Sequence, residues 1–102
     1  MKEVCRNYLM KEFGGDEAVV ADIYGEYAAS AAGKLAEIKA AIASGSWAAV
    51  DSAAHALKGN ALAAGDLEMA DVAIALRKAA ALSDAESAMS LADRLSGLNS
   101  GL

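Results

Sequence analysis

The sequence contains no proline, and only one cysteine, one histidine, one tryptophan and one phenylalanine among its 102 residues. Each scarcity excludes something. Without proline nothing forces a break inside a helix. β-Branched and aromatic residues are sparse beside abundant alanine, leucine, lysine and glutamate, and that balance favours helix throughout. An all-α fold is expected. The lone Cys5 cannot form an internal disulfide and has no metal-ligand spacing around it, which fits a reducing compartment. Nine basic residues stand against fourteen acidic ones, a net charge of −5, so the basic face that nucleic acid requires is missing. No apolar run has the form of a secretory leader, and the longest apolar stretches are alanine-rich and interrupted by charge. The expectation is one cytoplasmic domain spanning residues 1–102, monomeric, with neither a membrane nor a nucleic acid as partner.

The spacing of apolar residues predicts a short helix over residues 2–13, with Val4, Tyr8, Leu9 and Phe13 as its apolar edge, ended by Gly14-Gly15. Asp16 is a good N-cap for the next helix, and Glu17 sets a second negative charge at its positive end. Val20, Ile23, Tyr27, Ala31, Leu35, Ile38 and Ile42 then recur at intervals of three and four. They predict one long helix, or two nearly collinear ones meeting at Gly33. Ser44-Gly45-Ser46 supplies a stop, with Gly45 suited to the left-handed C′ position and Ser46 to the following N-cap.

A helix with Trp47, Val50, Ala54, Leu57, Ala61 and Ala64 inward follows. Gly65 is placed to end it and Asp66 to cap the next, whose inward residues read as Met69, Val72, Ala73, Leu76 and Ala80. Ser83-Asp84-Ala85-Glu86 matches a capping box. It predicts a last helix with Ala85, Ala88, Ala92 and Leu95 inside and a frayed end from Gly97 to Leu102. Four main helices joined by short connections, preceded by a short one, predict an antiparallel up-down four-helix bundle.

His55 is the only histidine, and histidine is the side-chain type whose unperturbed pKa suits a nucleophile or proton carrier near neutral pH. It lies one residue off the inward seam, about 100° around the helix, and is expected to be exposed. Lys58 and Gly59 fall one turn along, about 60° to one side and about 40° to the other. The lysine can stabilise negative charge on a group attached to the ring. The glycine costs roughly 1 kcal/mol relative to alanine in a helix, and clearance for an approaching partner is a sufficient reason for that cost.

Other chemistries lack parts. One histidine, one distant cysteine and Asp51 at i−4 cannot complete a zinc site, no serine or cysteine nucleophile has a base of its own, and there is no glycine-rich phosphate loop.

His55-Ala56-Leu57-Lys58-Gly59-Asn60-Ala61, followed by Gly65, resembles the H-x-L-K-G-x-A-x-x-x-G signature of histidine-containing phosphotransfer (HPt) domains, the helical-bundle carriers of two-component phosphorelays. Gly14-Gly15-Asp16-Glu17, the apolar helix to Tyr27, the Leu35 to Ile42 segment and Gly45-Ser46-Trp47 fall at family-like spacing, so the resemblance runs from about Phe13 to Arg77. Ser46 stands where the family often has Asp, Asp66 where Ala is common, and Ala73 and Arg77 where Cys and Glu or Gln are frequent. The resemblance implies that His55 is the phosphoacceptor and that Lys58 stabilises the phosphoryl group. It implies that Ser52, Gly59, Leu62 and Arg77 dock the partner, a response-regulator receiver domain, including that of a hybrid histidine kinase. Arg77 is expected at the His55 edge, reaching the phosphoryl group or pairing with a carboxylate such as Asp51. Asp51 can orient the ring's other nitrogen, although its charge would also repel a phosphate. Neither a cofactor nor a metal of its own is implied, since Mg²⁺ would come from the receiver, and the chain would be a carrier rather than an enzyme. The alternatives are a helical adaptor that binds receivers without being phosphorylated, and a structural bundle with an incidental motif.

Overall fold

The computed structural model describes residues 1–102. Five helices follow one another without strands: α1 (Glu3–Glu12), α2 (Glu17–Ser44), α3 (Trp47–Ala63), α4 (Leu67–Ala81) and α5 (Ala85–Ser100). The long apolar stripe forms one helix that runs through Gly33 without a break. At 1.5 Å per residue α2 is about 42 Å long and accounts for the 43 Å long dimension of the molecule. Asp16 caps it, accepting from the Ala18 and Val19 amides, and Gly45 closes it in the left-handed conformation (φ 69°).

Two caps differ from expectation. Ser46 occupies the N-cap position of α3 but makes no side-chain cap bond, because its hydroxyl pairs with that of Ser44 at 2.8 Å. At α5 the cap is Asp84 rather than Ser83: its carboxylate accepts from the Ser87 amide at 3.1 Å and the Ser87 hydroxyl at 2.7 Å. These bonds hold the Asp84 carboxyl below its usual range. The start shifts by one residue, which leaves Ala85 exposed while Ala88, Ala92 and Leu95 stay in the core.

Contacts between helices run in a cycle: α2 packs on α3, α3 on α4, α4 on α5 and α5 on α2, with α1 laid against α2. Alanines at Ala31, Ala53, Ala54, Ala61, Ala70, Ala73, Ala80, Ala88 and Ala92 are buried between helices and let the axes approach closely. Within α2 the inward line passes through Tyr24 and Ala41, while Ile23 and Ile42 are only half-buried at its margin. The edge of α1 also turns: Cys5 and Leu9 are buried, whereas Val4, Tyr8 and Phe13 are exposed. An i, i+4 pair is all that a ten-residue helix on the flank of a bundle needs to present.

Asp66 is fully buried. Its carboxylate accepts from the Tyr27 hydroxyl at 2.7 Å, from Lys2 Nζ at 2.8 Å and, as the N-cap of α4, from the Met69 amide at 3.3 Å. Burial pulls the Lys2 ammonium down, but the hydrogen bond and charge of Asp66 outweigh it and leave its pKa raised. Burial, and then Asp66, raise those of the Tyr27 hydroxyl and the Cys5 thiol. A second clasp lies beside the first. The Tyr24 hydroxyl accepts from the Lys2 amide at 3.1 Å and donates to the Leu102 carbonyl at 3.3 Å. The segment expected to fray is therefore helical to Ser100, with Leu98 and Leu102 packed on the core.

Gly65 joins α3 to α4 at φ +74°, and a Cβ built there would lie 2.5 Å from Tyr8 Cβ and Cγ. Gly65→Ala therefore meets both left-handed strain and a ring that is anchored through α1. It is expected to destabilise the fold by about 2 kcal/mol, lowering Tm by roughly 10 °C for a chain of this size. A thermal melt that matches wild type would show that α1 does not rest on this turn.

Candidate functional site

Helix α3 buries Val50, Ala53, Ala54, Leu57 and Ala61, which turns the next residue, His55, out to solvent. Trp47, the first residue of the expected seam, is half-buried. Ser52, Gly59 and Leu62 lie at i−3, i+4 and i+7 from the histidine, on one side of the helix, and all three are exposed. A Cβ at Gly59 would meet nothing within 4 Å, so internal packing does not explain this glycine. Asn60 turns the other way and donates to Ser30 Oγ on α2 at 2.7 Å, fixing the rotation of α3 against α2.

On α4, Leu76 fills the core and sends Arg77 to the edge that faces α3. The guanidinium reaches two residues there: Nε donates to Asp51 Oδ1 at 2.8 Å, and Nη1 lies 3.0 Å from His55 Nδ1. The hydrogen bond from Arg77 holds the Asp51 carboxyl below its ordinary range, and the charges of Arg77 and His55 act in the same direction. Arg77 thus stands at the His55 edge, where it pairs with the Asp51 carboxylate while touching the imidazole.

A shallow cleft of about 430 Å³ runs alongside, lined by Asp51, Lys58, Ile74, Arg77, Lys78 and Ala81. Three cations, Lys58, Arg77 and Lys78, therefore surround a groove beside an exposed imidazole in a protein of net charge −5. Lys78 and Ile74 were not singled out in the sequence. Once Arg77 is placed on this edge, Ile74, three residues earlier, falls beside it by helical spacing, and Lys78 lies one turn on from Ile74 at i+4. No group of three or more histidine, cysteine, aspartate or glutamate side chains is arranged to hold a metal ion.

A family model described as the Hpt domain matches residues 22–101. The chain belongs to the Hpt domain family. That membership gives it a phosphotransfer role in two-component signalling, as a carrier that interacts with receiver domains of response regulators. Neither a curated protein nor a solved structure matches it. The matched region of this Hpt domain takes in most of α2 and helices α3, α4 and α5, while α1 lies before it. No helix is long and apolar enough to cross a membrane.

Proposed function

We propose that this Hpt domain carries a phosphoryl group on His55 between receiver-domain aspartates of a phosphorelay. The observation that supports this most is a unique, exposed imidazole flanked by a cationic groove and by a glycine that internal packing does not need. In transfer, Nε2 attacks phosphorus in line, the N–P bond forms, and the P–O bond breaks with its electrons leaving on the receiver's carboxylate. Lys58 offsets charge on the transferring group. Ser52, Gly59 and Leu62 form the docking face, and Arg77 stands at its edge beside the ring. Mg²⁺ is expected from the receiver's own site, and the carrier needs no cofactor. The cycle of helix contacts and the short connections support an antiparallel up-down four-helix arrangement preceded by α1, forming a single monomeric domain over residues 1–102. The cytoplasm, where receivers and hybrid kinases present their aspartates, is its proposed location.

The test is incubation with phosphorylated receiver domains of the source organism. The chain should take up label in an acid-labile, alkali-stable form, as a phosphoramidate does; failure with every receiver would remove the proposal. Two variants probe the surroundings. Lys58→Ala is expected to slow transfer about tenfold or more while leaving stability within about 0.5 kcal/mol. Gly59→Gln is expected to gain up to about 1 kcal/mol of helix stability and yet to weaken receiver binding, since the new side chain stands in the open space beside His55. Wild-type transfer rates in both variants would show that docking occurs elsewhere.

A further inference from the structure

An imidazole that attacks through Nε2 must carry its proton on Nδ1, and a neighbour that accepts a hydrogen bond from Nδ1 favours that tautomer. Arg77 is the opposite kind of neighbour. A guanidinium has five N–H donors and no acceptor, so its approach to 3.0 Å from His55 Nδ1 is a hydrogen bond only when Nδ1 is unprotonated and accepts. The neutral ring then holds its proton on Nε2. Other groups do not reverse this. Asp51, on the same helix as the histidine, has its carboxylate engaged by Arg77 Nε at 2.8 Å, and the remaining charged residues of the cleft, Lys58 and Lys78, are donors.

We propose that Arg77, anchored by Asp51, locks the neutral His55 ring in its Nε2–H tautomer, so that both ring nitrogens are closed to a phosphoryl donor until the guanidinium leaves Nδ1. Arg77 is thereby a positioning residue, acting through the ring. The inference rests on His55 being the phosphoacceptor. When the guanidinium swings away, water takes the proton from Nε2 and returns one to Nδ1, with no net change in charge. The Nε2 lone pair is then free to form the N–P bond as the aspartyl P–O bond breaks. The product ring carries Nδ1–H and a positive charge. Loss of that proton to water restores an acceptor to which Arg77 can donate again. An unprotonated phosphoimidazole must leave as imidazolate, a poorer leaving group than neutral imidazole, so the same contact slows transfer out as well as in.

The experiment is a long-range ¹H–¹⁵N correlation spectrum of His55 in the unphosphorylated protein, at a pH where the ring is neutral, for wild type and Arg77→Gln. Glutamine can keep an N–H donor toward Asp51 while offering its carbonyl oxygen to Nδ1–H. Wild type is expected as the Nε2–H tautomer, and Arg77→Gln should move the tautomer ratio toward Nδ1–H by about tenfold, the scale of one hydrogen bond to a charged group. Arg77→Gln should also accept phosphoryl from a phosphorylated receiver several-fold faster with an unchanged unfolding midpoint. An Nδ1–H ring in wild type, or the same ratio in both proteins, overturns the lock. Absence of label on either protein overturns the carrier reading instead, which the spectrum of the unphosphorylated ring does not depend on.

Discussion

Replacing His55 with glutamine is expected to abolish phosphoryl labelling completely. The chain has no second histidine to take over, and glutamine keeps polarity and approximate size while removing the ring nitrogen that would form the N–P bond. Because His55 is exposed and its hydrogen-bonded contact is with a partly exposed arginine, the fold should change by no more than about 0.5 kcal/mol. The proposed docking face of Ser52, Gly59 and Leu62 is untouched, so receiver binding should persist without transfer. The measurement is label transfer from a phosphorylated receiver, scored for acid lability, alongside a binding isotherm. Label retained by the variant would sink the assignment of His55. A variant that binds and still controls its partner would favour the unphosphorylated adaptor.

The largest effect on stability is expected at Asp66, far from the chemistry. Asp66→Ala removes a buried carboxylate from Tyr27, Lys2 and the Met69 amide at once. Breaking a buried charged pair costs about 3–5 kcal/mol and losing an N-cap about 1. The Lys2 side chain keeps 20% of its exposure and can find water, so the sum should fall near 4 kcal/mol, a large share of the 5–15 kcal/mol typical of a domain. Asp66→Asn keeps an oxygen for Tyr27 and should cost less. Urea unfolding measures both, and an Asp66→Ala loss below about 1 kcal/mol would mean that the network does not form. The same network sets an alkaline limit. Cys5, Tyr27 and Lys2 all have raised pKa values in the folded chain. Their stabilising contributions are complete below the unfolded-state values and lost as pH rises past them, so stability should hold to about pH 8.5 and decline above it. Tyr27→Phe should flatten the decline above about pH 10.

Helix existence was legible because proline is absent and the three-four spacing is regular, and the exposure of His55 was legible because it lies one position off a strong seam. Arg77 could be placed on the right edge by counting from Leu76. What helical spacing does not carry is the choice among polar partners: that one guanidinium would take both Asp51 and His55 depends on the rotation and separation of α3 and α4. Asp66 illustrates the same gap. As an N-cap it was readable, but its burial follows from Lys2, 64 residues away, and from Tyr27, 39 residues away. The caps depart from expectation in two different ways: Ser46 keeps the N-cap position of α3 without a side-chain cap bond, and Asp84 takes that of α5 in place of Ser83. At α3 the Ser46 hydroxyl pairs with that of Ser44 instead of with an amide, while at α5 the Asp84 carboxylate takes the Ser87 amide and hydroxyl and moves the boundary by one residue.

The cycle of helix contacts has a kinetic consequence. Every packed pair except α2 with α5 joins helices adjacent in the sequence, so most interfaces require only the closure of a short loop, and chains of such low contact order fold in microseconds to milliseconds. The histidine helix sits between two sequence neighbours, α2 and α4, so its surroundings can assemble before the chain closes the cycle. Docking of α5 on α2, together with the Leu102 to Tyr24 bond spanning 78 residues, carries the greatest entropic cost of closure. Substitutions in the α2–α5 interface should then act mainly on the unfolding rate, whereas those between α3 and its neighbours should slow folding itself.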